Sequence, residues 1–263
     1  YYLLSATQGF RRAQIRLSLM YIEGRGVTAS RSDAAKWLKL SSEHSDENPT
    51  VSFLNQNDPQ EEVIKLYKDL ANEGHAGSQF EIGYCYDIGL GVEQSETDAI
   101  DWYTKAATNG HLDSQITLAK YYNLRNWELS IKWLTKAASQ GDTPSQHELG
   151  MYYLNGYGVE RSEAEAAKWF LEAANKDHPD SQYELGLMLQ SKEEFKKAIV
   201  WFKKASNTHD EAKYELACCY LEGRGTEQSN IEAEKCFEEL SSSFIDEATG
   251  VRANYELAKL YST

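Results

Sequence analysis

Between residues 145 and 153 the small and apolar residues fall at the first, fifth, eighth and ninth places, as Ser145, Leu149, Tyr152 and Tyr153. At 100° per residue these places share one face, so the spacing predicts an amphipathic helix. A second helix is predicted after it, with Ala166, Trp169, Phe170, Ala173 and Ala174 on one stripe. Ser162, followed three residues later by Glu165, predicts its N-cap with a reciprocal capping partner. Each such stretch reads as a helical hairpin.

The hairpin recurs. "YIEGRGV" starts at Tyr21, "YDIGLGV" at Tyr86, "YLNGYGV" at Tyr153 and "YLEGRGT" at Tyr220, and in each copy a Trp, or Cys236 in the last, lies 11 residues after the second glycine. The copies are 65, 67 and 67 residues apart, too long for one hairpin, and the last two intervals each hide a second unit. "SQITLAKYYNLRNWELSIKWLTKAA" and "SQYELGLMLQSKEEFKKAIVWFKKA" keep the Tyr/Leu and Trp positions but lack the glycine turn, so an interval of 67 is a 36-residue unit plus a 31-residue one. In the first interval "PTVSFLNQNDPQEEVIKLYKDLA" fits poorly, and reads either as a degenerate repeat or as an irregular insertion. First (A) helices are thus expected near residues 13, 49 (degenerate), 78, 114, 145, 181, 212 and 253, in a single repeat domain of about seven repeats over 1–263. Small residues at the sixth A-helix place (Gly83, Ala119, Gly150, Gly186, Ala217, Ala258) predict close helix approach, with the Trp filling the space between hairpins.

This pattern resembles the Sel-one-like repeat family, a relative of the tetratricopeptide repeat, in the match "SQHELGMYYLNGYGV…AAKWFLEAA". The resemblance covers nearly the whole chain. It implies an all-α fold, a right-handed α/α superhelix of stacked antiparallel helix pairs whose A helices line the concave side, acting as an adaptor between proteins. The departures are the short units without glycine turns, the stretch from Pro49 to Leu70, and Cys236 in place of Trp.

Paired glycines also occur in phosphate loops, but there they follow a strand and open a helix. Here they follow a helix and no Lys-Ser/Thr comes after them, so Gly156 is read as a helix C-terminal residue with positive φ and no nucleotide cofactor is expected. The chain opens inside a repeat, with Tyr1 at a B-helix Trp position, and closes on "RANYELAKLYST", an A helix with no B partner. The expectation is a fragment of a longer protein, or ends covered by a partner.

Charge narrows the partners. Lys and Arg total 27 against 41 Asp and Glu, for a net charge of −14, which repels nucleic-acid phosphates and anionic lipid. No apolar run reaches the ~20 residues of a membrane helix, so membrane insertion is not expected. His75, His111, His178 and His209 each lie three residues before an A helix's first place, a repeat feature rather than a metal set. Cys85, Cys218, Cys219 and Cys236 have no C-x-x-C spacing and read as reduced apolar groups, with a Cys219–Cys236 bridge left open. No hydrolase motif is present, and the chain is read as a non-enzyme without metal or other cofactor.

Geometry then points to a surface. Places 3, 4, 7 and 10 of the A helix face away from the core places and are expected to be exposed. They carry Phe80, His147, Tyr183 and Tyr214 at place 3, Glu81, Glu148, Glu184 and Glu215 at place 4, and Tyr84, Met151 and Leu187 at place 7. The functional reading is an acidic ladder beside an apolar stripe that binds a protein or peptide with basic and apolar residues. Against it stands a structural one, in which place 3 packs on the next repeat and the glutamates are a solvated face. Two other function classes remain: a dedicated inhibitor, immunity or regulatory protein for one basic enzyme or toxin, and, remotely, a hydrolase.

Overall fold

The computed structural model describes residues 1–43, 49–54, 58–242 and 247–261, and its regular elements among them are all helices. The chain forms two compact units, Tyr1–Ala137 and Ala138–Thr263. The first holds α1 (Tyr2–Thr7), α2 (Arg11–Glu23), α3 (Arg31–Ser41), α4 (Gln60–Asn72), α5 (Ala76–Ile88), α6 (Glu96–Thr108) and α7 (Leu112–Tyr122), and α8 (Trp127–Ser139) runs across the boundary. The second holds α9 (Thr143–Asn155), α10 (Glu163–Ala174), α11 (Pro179–Ser191), α12 (Phe195–Ala205), α13 (Asp210–Glu222), α14 (Asn230–Ser241) and α15 (Glu247–Tyr261). Within each unit the helices pack as successive hairpins, α2 on α3 and α5 on α6 in the first, α9 on α10, α11 on α12 and α13 on α14 in the second.

The turns follow from backbone chemistry. Gly24, Gly89, Gly156 and Gly223 end A helices in the left-handed conformation, and the second glycine of each pair is also at positive φ, all eight between +65° and +76°. A side chain is strained there, which is why both places are glycine. Ser30, Ser95, Ser162 and Ser229 then cap the B helices, each hydroxyl accepting the N–H three residues on at 3.2–3.3 Å. The reciprocal half of the predicted capping box is replaced: the Ser162 N–H donates to Tyr153 O at 2.8 Å, and Glu165 pairs with Lys168.

Where a degenerate A helix was expected near residue 49, the described residues form only a 3₁₀ turn, Thr50–Phe53. Proline at 49 and 59 withholds two backbone donors, and the segment lies on α2 and α5 as a connector before α4.

In α10 and α12 the space between the paired helices is filled by the residue after the Trp, while Trp201 packs against the neighbouring hairpin's cluster and Trp37 of α3 and Trp133 of α8 are themselves buried. Phe170, Phe202 and Phe237 are fully buried, whereas Trp169 and Trp201 are half-buried. A methyl group placed on Gly150 would meet the Phe170 ring at 2.6 Å, and one on Gly186 the Phe202 ring at 2.3 Å. The small sixth place is therefore a socket for an aromatic ring. Phe170→Ala is expected to cost about 3–5 kcal/mol and Trp169→Ala clearly less, as read from denaturant midpoints.

Two polar residues tie most of the repeats to the next. The glutamine at the second A-helix place is buried, and its Nε2 donates to a carbonyl eight residues earlier, in the last turn of the preceding helix: Gln14 to Ala6, Gln79 to Ala71, Gln115 to Ala107, Gln146 to Ala138 and Gln182 to Ala174, at 3.0–3.2 Å. The histidines are the N-caps. Nδ1 of His75, His111, His178 and His209 accepts the backbone N–H three residues on at 3.1–3.3 Å. For His75 and His111 that bond requires a bare Nδ1 lone pair, and burial lowers the pKa of both.

Burial pushes His111 down from 6.5 to about 4, with His75 and Arg11 adding to the effect. Between those two values the unfolded chain binds more protons than the folded one, so this contribution to stability falls as pH drops from about 6.5 to about 4. His111→Asn keeps a capping side chain and removes the titration. Its thermal midpoint is expected to fall less than that of the parent over this pH window, measured by circular dichroism.

Candidate partner-binding surface

The residues expected on one open A-helix face divide by place and by unit. At place 3 they are joint residues. Phe80 is buried and stacks on His111, the cap of the next A helix, with ring centroids 4.8 Å apart. Tyr183 stacks in the same way on His209 at 4.5 Å, and His147 lies 5.0 Å from His178 while its Nδ1 meets Ser181 Oγ at 2.9 Å. Tyr214 is buried against Phe237, with Arg252 over its ring at 4.0 Å. The expectation of exposure thus fails for Phe80 and Tyr214, because an aromatic at place 3 is needed to cover the next repeat's histidine or its equivalent.

Place 4 differs between the units. In the first unit Glu81 is buried, its side chain 1% exposed. It pairs with Arg11 at 3.3 Å, and its other oxygen accepts the Val51 N–H at 2.9 Å. The 3₁₀ turn therefore covers the place that would otherwise be an acidic rung, correcting the reading of Glu81 as an exposed contact. Tyr84, at place 7 of the same helix, packs partly into that unit's core.

In the second unit Glu148, Glu184 and Glu215 occupy place 4 of α9, α11 and α13, all half-buried, and Glu256 follows on α15. Glu148 accepts from the Tyr152 hydroxyl at 3.2 Å and Glu215 from Gln190 Nε2 at 3.1 Å. Glu256 pairs with Lys259 at 2.9 Å. Among the described residues no Lys or Arg is ion-paired with Glu148, Glu184 or Glu215. Burial, with Asp180 adding to it, raises the Glu184 carboxyl above its usual range. Met151 and Leu187 at place 7 are partly buried beside them. The three carboxylates are thus partly desolvated and have an apolar margin.

The cysteines offer no comparable chemistry. All four are free; Cys219 and Cys236 pack in separate clusters. Burial pushes Cys85 and Cys218 up to about 12 and Cys219 to about 11, and raises Cys236. A reactive thiol needs the opposite shift. Alkylation by iodoacetamide at pH 8 is expected to be slow for all four thiols in the folded protein and fast in denaturant, followed by mass spectrometry. Among the described residues no three His, Cys, Asp or Glu side chains gather as a metal site, and no helix is long and apolar enough to cross a membrane.

The histidine caps escaped the sequence reading in role though not in position, and the glutamine ties escaped it in both. Their signal was present: a polar residue recurring at fixed offsets inside an otherwise apolar face marks a buried polar group with a fixed partner.

Sel1 repeats are matched over residues 11–46, 76–111, 124–142, 143–178, 179–207 and 210–242, well over half of the chain. The chain belongs to the Sel1 repeat family. The Sel1 repeat protein of Oxalobacter formigenes is similar in fold, with a TM-score of 0.58 and 24% identity over 97% of this chain and 78% of its own. Segments of this chain are 31% identical to DAP3-binding cell death enhancer 1 of Rattus norvegicus over 65 residues, and 33% identical to Protein sel-1 homolog 2 of Homo sapiens over 60 residues. Those segments are 25% and 23% of this chain, and span only 13% and 9% of the relatives' own lengths. Sel1 repeats generally mediate protein–protein interaction, and Sel1 repeat scaffolds are typically non-enzymatic.

Proposed function

We propose that this Sel1 repeat chain is a protein-binding adaptor whose second unit holds a basic, apolar-anchored segment of its partner on the A-helix face. The observation that carries this reading is the row Glu148, Glu184 and Glu215, half-buried and without ion-paired cations among the described residues. A carboxylate already drawn out of water gains more from an arriving Lys or Arg than a fully solvated one, because part of its desolvation has been met on folding. Met151 and Leu187 supply apolar contacts beside the charges. His147, Tyr183 and Tyr214 support the face from beneath as joint residues, and Phe80, Glu81 and Tyr84 belong to the first unit's interior or its margin.

The test begins with a partner isolated on the immobilised chain and identified, then titrated against variants. Glu148→Lys with Glu184→Lys is expected to weaken binding by at least about tenfold, or about 1.4 kcal/mol, and Leu187→Ala by less. Raising salt from 50 to 500 mM should weaken the parent complex as well. A folded double variant that binds that partner as tightly as the parent would overturn the assignment. Tyr183→Ala is a poor probe, since it removes the stack on His209 and tests stability instead.

A further inference from the structure

The second unit carries another feature, of opposite charge. Between α10, α11 and α12 lies a cavity of about 630 Å³. Its floor is Leu185, Met188 and Trp201, and its walls are Ala167, Leu171 and Val200. Leu171 and Val200 are 44% and 50% exposed, so the groove is open along its mouth. Four lysines rim it, Lys168 from α10, Lys192 after α11, and Lys196 and Lys197 from the first turn of α12. Lys168 pairs with Glu165 and Lys197 with Glu194, leaving Lys192 and Lys196 as rim cations outside those two pairs. The helix α12, "FKKAIVWFKKA", has four lysines and no acidic residue in a chain of net charge −14.

The groove has a structural origin. In two of the 36-residue units the glycine turn after an A helix rests on the start of the preceding helix: a methyl group on Gly225 would meet the Phe195 carbonyl oxygen of α12 at 2.5 Å, and one on Gly91 would meet Ile64 Cδ1 of α4 at 2.3 Å. The 31-residue unit formed by α11 and α12 has no such turn, only residues 192–194, so the start of α10 at Ala164 and Ala167 is left uncovered. The other short unit, which begins with α7, behaves alike. There a cavity of about 460 Å³ opens on Glu96, Ala99 and Ile100 of α6, but its rim is mixed, with Asp87, Glu96 and Arg125. Loss of the turn opens the groove, and only the second unit's copy is lysine-rimmed.

We propose that this groove is a second docking site, for an acidic amphipathic helix of a partner protein that lays apolar side chains between α10 and α12 and its carboxylates against the lysines. The open mouth between two exposed helix faces suits a ridge of side chains at i, i+4 and i+7, where an acyl chain would want enclosure. The α12 N-terminus adds its positive end to the lysines. This site is independent of the Glu148–Glu184–Glu215 face.

The probe is a fluorescein-labelled synthetic helix of about four turns with Leu along one face and Glu flanking it, compared by anisotropy with the same peptide carrying Lys in place of Glu. The acidic peptide is expected to bind the full chain roughly tenfold or more tightly than its basic counterpart. Lys192→Glu with Lys196→Glu, and separately Val200→Asp, should abolish that preference with unchanged thermal midpoints, since all three side chains are exposed. Glu148→Lys with Glu184→Lys should leave it intact, which separates this site from the acidic face. Equal binding of the two peptides, or parental binding by the folded lysine double variant, would overturn the proposal. So would a dimer in sedimentation that Val200→Asp dissociates, which would make the occupant a second copy, or displacement of the peptide by decanoate but not by a free Glu-rich peptide.

Discussion

Five joints among the described residues turn on one problem, the carbonyl groups at the end of a helix that is buried by the next helix. Water cannot reach them, and a buried carbonyl without a donor costs about as much as a lost hydrogen bond. The glutamine at the second A-helix place solves it by reaching back eight residues to the preceding helix, as Gln182 does to Ala174. The next helix needs the mirror-image service at its start, and a histidine or Asp142 provides it by accepting an N–H. These two bonds fix the joint so that the apolar surfaces on either side meet in a single register, and the aromatic at place 3 can then lie over the next cap. The Phe170–Gly150 and Phe202–Gly186 contacts close each hairpin around that frame.

The joint decides which surface remains for a partner. An aromatic stripe on an A helix invites reading as a recognition surface, yet Phe80, His147, Tyr183 and Tyr214 are engaged with neighbouring rings. What is left is place 4 and its margin, and only in the second unit. In the first, the connector that stands in for an A helix lies over α5 and turns Glu81 into half of an interior ion pair with Arg11. Breaking such a pair by removing one member leaves a buried charge uncompensated, so Glu81 serves cohesion there, while its counterparts at 148, 184 and 215 are half-buried without an ion-paired Lys or Arg among the described residues.

Length variation among repeats acts on function through coverage. At Gly91 and Gly225 the glycine turn is both a connection and a lid over the start of the preceding helix, and a unit that drops it exposes apolar surface that must be managed. The α7 copy meets this with Tyr121, Arg125 and Glu96, where Arg125 sits 4.3 Å from the Tyr121 ring. The α11 copy surrounds the opening with lysines instead. On the proposed reading, two faces of opposite charge in one unit give the chain two distinct chemistries, each screened by salt and each confined to a few helices.

The helical hairpin, its repeat of 36 and 31 residues, the glycine turns and the all-α class were legible in the sequence, because 3.6-residue periodicity and positive-φ turns are local properties carried by the residues themselves. The Ser162 cap was legible for the same reason. Which aromatic fills the hairpin was not, since Trp169 and Phe170 are neighbours on the same stripe and only the position of the Gly150 socket on another helix selects Phe170. Nor was the fate of place 4: Glu81 and Glu148 occupy the same place in their repeats, and a turn 30 residues away along the chain buries one of them. The lysine-rimmed groove is likewise visible only once α10, α11 and α12 are side by side, because it is made by a turn that is missing from one hairpin and a surface that belongs to another. Local periodicity fixes what each segment becomes; contact between segments distant in sequence decides which of its side chains remain free to act.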